Sequence, residues 1–85
     1  MQITLDVPVY SPESGIQAHW VGGFEINVTL EAGAVCIHSN QAGLISLAGH
    51  LLNLAQEAVP VGCHLHLDEH NSLEEGSAQL ILIRN

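Results

Sequence analysis

Only one segment of this chain repeats its apolar residues at helical spacing, while the other apolar runs alternate; the fold this allows is one helix laid against strands. Leu44, Leu47, Leu51, Leu54 and Ala58 recur at three- and four-residue steps, and Ile45, Ala48, Leu52 and Ala55 widen the stripe. Ser46, Gly49, His50, Asn53 and Glu57 form the opposite face and are expected to meet water, as is His19. Ser39 or Asn40 supplies the N-cap, because a short polar side chain accepts from backbone N–H groups that the first turn leaves unpaired. Pro60 stops the helix, which is predicted over 41–58.

The rest reads as strands. Ile3, Leu5, Val7 and Val9 alternate with polar residues, and Pro8, which has no N–H to donate, places that strand at an edge or ends it. Ser11–Gly15 is a turn by its chemistry. A second strand, 17–30, is interrupted by Gly22-Gly23, a bulge or sharp bend. Beyond it Phe24, Ile26, Val28 and Leu30 point inward and Glu25, Asn27 and Thr29 outward. Glu31-Ala32-Gly33 forms a tight hairpin connection to a third strand. There Val35 and Ile37 point inward, opposite Ala34, Cys36 and His38. Two final strands, 61–68 and 77–84, flank an acidic loop.

The expected fold is therefore α+β, in the order β-β-β-α-β-β. It is a single domain of residues 1–85, a largely antiparallel five-stranded sheet with one helix packed on one face. One helix covers one face of such a sheet, so the other is left for water or a partner. Leu80, Ile81, Leu82 and Ile83 break the alternation, as a central strand covered on both faces or a homodimer contact would.

Nine carboxylates face one cation, Arg84, and no lysine, for a formal net charge of -8. A phosphate backbone is neutralised by Lys and Arg clusters, which this chain cannot assemble, so nucleic-acid binding is excluded. An anionic membrane surface is excluded for the same reason, and no run approaches the roughly 18 apolar residues of a membrane span. A basic protein is the natural complement. The N-terminal sequence has neither the cationic start nor the apolar run of a secretory signal. A cytoplasmic location is expected, with Cys36 and Cys63 reduced and buried, although a mutual disulfide remains open.

His64, His66, Asp68 and His70 support two readings. Imidazole and carboxylate at close spacing suit zinc, and Cys36 or His38 on a neighbouring strand would complete a site with His64 and His66. Alternation explains the same residues without a cofactor, placing Val61, Cys63, Leu65 and Leu67 on one side and His64, His66 and Asp68 on the wet side. The HxHxDH pattern of metallo-hydrolases differs here by one extra residue, and that fold needs a far longer chain. No strand–GxSxG–helix elbow or phosphate-binding glycine loop is present, so no catalytic residue is assigned and the chain is not expected to be an enzyme. Trp20, beside the glycine pair, is either a rim residue closing the core or an anchor for a protein partner.

Residues 40–48 (Asn40 to Ala48), His50-Leu51-Leu52, Leu54-Ala55-Gln56, His64-Leu65-His66-Leu67-Asp68, Asn71-Ser72-Leu73-Glu74-Glu75-Gly76-Ser77 and Leu80-Ile81 form a familiar string. Together they resemble a family of predicted immunity proteins from bacterial polymorphic-toxin systems, the immunity protein 32 family. The resemblance covers roughly residues 24–83. It implies a small cytoplasmic α+β protein that binds a cognate toxin and blocks it by stoichiometric occlusion. A basic nuclease is the toxin that the acidity suits. The candidate contact residues are Trp20, Glu25, Asn27, His64, His66 and Asp68. The alternatives are a small zinc-binding domain and a self-associating accessory protein.

Overall fold

The computed structural model describes residues 1–85. The elements are β1 (Ile26–Glu31), β2 (Ala34–Ser39), α1 (Gln41–Leu54), β3 (His64–Leu67) and β4 (Leu80–Ile83). The five-stranded sheet of the sequence reading is not formed. Four strands make two separate antiparallel pairs, β1 with β2 and β3 with β4.

The β1–β2 hairpin turns through Ala32 and Gly33, both at positive φ (52° and 81°). That is the two-residue connection whose twist matches antiparallel strands, and it suits glycine better than alanine. The two pairs lie side by side without merging. Ile26 O accepts from Glu74 N at 2.8 Å, Val28 O from Ala78 N at 2.7 Å, and Val28 N donates to Ser77 Oγ at 3.1 Å. A turn, closed by Ser77 N to Glu74 O at 3.1 Å, takes up the residues that would have extended a ladder.

The missing strand has a physical cause. Residues 1–25 form no ladder beyond a single bridge, Ser11 with Gly15. Part of this segment lies as a strap along α1, its backbone groups satisfied by side chains. Gln56 is bidentate, with Nε2 donating to Pro8 O at 2.9 Å and Oε1 accepting from Tyr10 N at 2.9 Å. Asn53 Nδ2 donates to Gln17 O, and Val21 N donates to Ser46 Oγ, both at 2.8 Å. Peptide groups shielded from water require partners, and here α1 and the turn that follows it provide them.

The helix is consequently turned relative to its expected orientation. Ser46, His50 and Asn53, read as a wet face, are buried, at 2%, 1% and 2% exposure. Leu44, Leu51 and Leu52 are exposed. Leu47 and Leu54 still point inward. The helix ends at Leu54 rather than 58, and irregular turns carry the chain to Pro60. Asn40 is the N-cap, accepting from Gly43 N at 2.9 Å and Glu25 N at 3.0 Å and donating to Gly23 O at 2.9 Å. It thereby ties the start of the helix to the residues before β1.

Ile26, Val28, Leu47, Leu67 and Leu73 form the core, with Trp20, Phe24, Ala78 and Leu80 against it. Leu73, within the acidic loop, is a core residue that alternation does not reveal. Leu30, Val35 and Ile37, expected inside, are exposed. Val28 pairs with Ile37 and Leu30 with Val35, so all four share a face, and the hairpin tip runs past what covers Val28. The last strand is not covered on both sides either: Leu80 and Leu82 are half-buried, Ile81 and Ile83 exposed. No helix is long and apolar enough to cross a membrane.

Candidate partner-binding surface

The outward face of the β1–β2 hairpin is polar because the strand period is two. Asn27 stands opposite His38 and Thr29 opposite Cys36, with Glu31 at the end of the same row. The Glu31 carboxylate accepts from the Thr29 hydroxyl, and the same oxygen, Oε2, lies 2.9 Å from His38 Nε2. Thr29 first, then His38 and the Cys36 thiol, favour the charged form and hold the Glu31 pKa down at about 2. The same bond pushes the Cys36 thiol up, since a thiolate would face the carboxylate.

Beside this row lies a depression of about 240 Å³ lined by Glu25, Asn27, His38, Ser39, Asn40 and Glu74 and by no apolar side chain. Glu74 is placed there by its backbone bond to Ile26. Two expected contact residues, Glu25 and Asn27, therefore meet on one face. Glu31 and Glu74 belong with them and were not singled out from sequence. Glu31 continues the outward positions 27 and 29, a signal obscured by its place next to the turn. Nothing local in the sequence marks Glu74.

His64, His66 and Asp68 gather on the other pair. His64 and His66 share the exposed face of β3 with their cross-strand neighbours Ile83 and Ile81. His66 Nε2 lies 3.1 Å from Gln79 Oε1 and 3.8 Å from Asp68 Oδ2. Asp68 also organises its loop, accepting from His70 N through Oδ1 at 2.8 Å, while its carbonyl accepts from Leu73 N at 2.9 Å. Cys36 and His38 sit on β2, in the other sheet from His64 and His66, so these four do not converge. No group of three or more His, Cys, Asp or Glu side chains is arranged to hold a metal ion. Cys36 and Cys63 are free and half-buried.

Trp20 lines a depression together with His66 and Asn71, which sets it beside part of the second polar surface. Its ring is half-buried, stacked on Phe24 at 4.4 Å and edge-on to His50 at 4.3 Å between centroids. His50 is buried, contrary to its expected exposure, because the strap and Trp20 lie over the helix face that carries it.

An antiparallel hairpin, a capped helix and a second short strand pair make a small α+β protein. The immunity protein 32 family model matches residues 34–85, more than half of the chain, and the chain belongs to that family. The match spans β2, α1, β3 and β4. Comparisons with curated proteins and with solved structures return no match.

Proposed function

We propose that this immunity protein neutralises a cognate bacterial toxin by binding it stoichiometrically in the cytoplasm, without catalysis, and that the toxin is a basic nuclease. Family membership supports the immunity role. The observation that carries the electrostatic part is the apolar-free depression ringed by Glu25 and Glu74, beside a Glu31 that stays ionised through the whole physiological pH range. Carboxylates held on a sheet face stand in for phosphates before a cationic nucleic-acid site, and opposite charges speed encounter. His64, His66 and Asp68, on the second pair, are a further part of the proposed contact.

The test is binding to the toxin encoded beside this gene, followed across a salt series. Association of the wild type slows as salt rises, because screening acts on long-range approach. Glu25→Lys with Glu74→Lys slows it further while leaving the fold intact, since both residues are exposed. A wild-type protein that neither binds that toxin nor protects cells from it refutes the reading. Salt-independent binding refutes the electrostatic mechanism alone.

A further inference from the structure

The β1–β2 hairpin has two outer edges, and the chain covers one of them. In an antiparallel pair, successive main-chain groups point alternately to the partner strand and to the outside. On β1 the outward groups include those of Ile26 and Val28, and residues 74–78 take them up. Ile26 O accepts from Glu74 N, Val28 O accepts from Ala78 N, and Val28 N donates to Ser77 Oγ. Val28 stands opposite Ile37 and Leu30 opposite Val35, so the N–H and C=O of Val35 and Ile37 are the outward groups of β2. No main-chain group elsewhere in the chain bonds to any of these four. Nothing else blunts the edge. β2 runs six residues in continuous one-to-one register, without the lysine, proline or bulge that keeps an exposed edge from pairing.

The side chains along the edge select what pairs with it. On one face Val35 and Ile37 are 59% and 43% exposed, next to Leu30 at 70%, and apolar residues of an added strand would cover them. On the other face stand Cys36 and His38, where the Glu31 carboxylate reaches across to His38 Nε2 at 2.9 Å. No lysine or arginine of the chain pairs with that carboxylate. The same face continues into the depression lined by His38, Ser39, Glu25 and Glu74. A cation on the added strand is the complement. A second copy does not supply one: it has no lysine, the same net charge of -8, and a single arginine bonded to its own Leu54 O. A basic toxin does. We infer that an extended segment of the toxin, alternating apolar and basic side chains, adds to β2 as an antiparallel third strand. Its backbone closes the four open groups and gives affinity, while its alternate side chains give specificity. This deepens the toxin-binding reading above and rests on it.

Amide hydrogen exchange, read residue by residue by NMR, tests the edge in the wild type, free and bound to an inactivated form of the toxin encoded beside this gene. The Val35 and Ile37 amides should exchange fast in the free protein and slow by at least about tenfold in the complex. Ile37→Pro removes one outward N–H and no hairpin bond, because proline is tolerated on an edge with its nitrogen toward solvent. Circular dichroism confirms that the variant folds. It should bind the toxin about tenfold or more weakly, whereas Ile37→Val, which keeps the N–H, should bind nearly as the wild type does. Wild-type binding without protection at Val35 and Ile37, or a folded Ile37→Pro that binds like wild type, overturns the added strand and leaves the immunity reading standing. Protection of both amides in the free protein as its concentration rises assigns the edge to a second copy and likewise overturns the proposal. A wild type that neither binds that toxin nor protects cells from it refutes both readings.

Discussion

The indole of Trp20 meets the imidazole of His50 edge to face, 4.3 Å between centroids, and together they join the strap to the middle of α1. His50 is 1% exposed and its Nε2 has no hydrogen-bond partner. Burial therefore pushes its pKa below the ordinary 6.5. The unfolded chain binds a proton here more readily than the folded one, so the stability is complete above 6.5. It is lost as pH falls below that value and through the folded pKa. Urea denaturation at a series of pH values should show the decline, and His50→Leu should flatten that part of it. A His50→Leu variant with an unchanged profile would remove His50 from the account.

Trp20→Ala should act on the fold before it acts on any partner. Removing a half-buried indole that stacks on Phe24 should cost about 2–3 kcal/mol, just below the roughly 3–5 kcal/mol of fully buried aromatic truncations. Chemical denaturation measures this directly. An unchanged midpoint would return Trp20 to the role of a free surface anchor.

Gly43→Ala should destabilise, although alanine usually gains about 1 kcal/mol over glycine inside a helix. A Cβ at Gly43 would collide with Ser39 Oγ, stand 2.7 Å from Ile26 Cγ1 and stand 2.9 Å from Glu25 O. Backbone and a fully buried isoleucine cannot step aside, so a net loss of about 1–3 kcal/mol is expected from overpacking. A higher urea midpoint for Gly43→Ala would show that the helix can move away from β1.

The Glu31 carboxylate should titrate near 2 instead of its ordinary 4.5. Its contribution to stability is present above 4.5 and disappears as pH falls toward 2. Carbon-detected NMR titration reads the value. Thr29→Val, which removes the leading donor, should bring it back toward 4.5, and a Thr29→Val titration indistinguishable from wild type would contradict the assignment of Thr29 as the chief cause.

Gln56→Ala should loosen the strap at Pro8 and Tyr10 while leaving the strands in place. The bidentate amide leaves two backbone groups without partners, a loss of about 1–3 kcal/mol if they stay dry. Hydrogen exchange should rise at Tyr10 and remain slow at Val28. Uniform acceleration would mean instead that the strap and the core open together.

The elements whose hydrogen bonds are local were legible in sequence. The alternation across Ile26–Val28, the Ala32-Gly33 turn and the Asn40 cap all follow from neighbours a few residues apart. What failed was the assignment of Ser46, His50 and Asn53 to water. Polarity says that a side chain needs a partner, not what that partner is. Here the partners of Ser46, Asn53 and Gln56 are backbone groups 25, 36 and 48 residues away in the chain. Once the polar stripe is taken by the strap, Leu51 must turn outward, and the expected first strand has no ladder left to join. Of the candidate contact residues, Glu25 and Asn27 could be paired from strand period alone. Glu74 depended on a loop docking against β1, and no periodicity encodes that.

Because Ser46, Asn53 and Gln56 hold main-chain atoms of the strap, those four bonds do not depend on the side chains of residues 8, 10, 17 and 21, provided 10 and 21 keep an N–H. A replacement at Tyr10 or Gln17 that keeps an extended backbone preserves the attachment. Replacing the amide at 56 does not. The helix and the turn after it thus carry the information for a segment whose outward side chains can drift in composition while its seat stays constant.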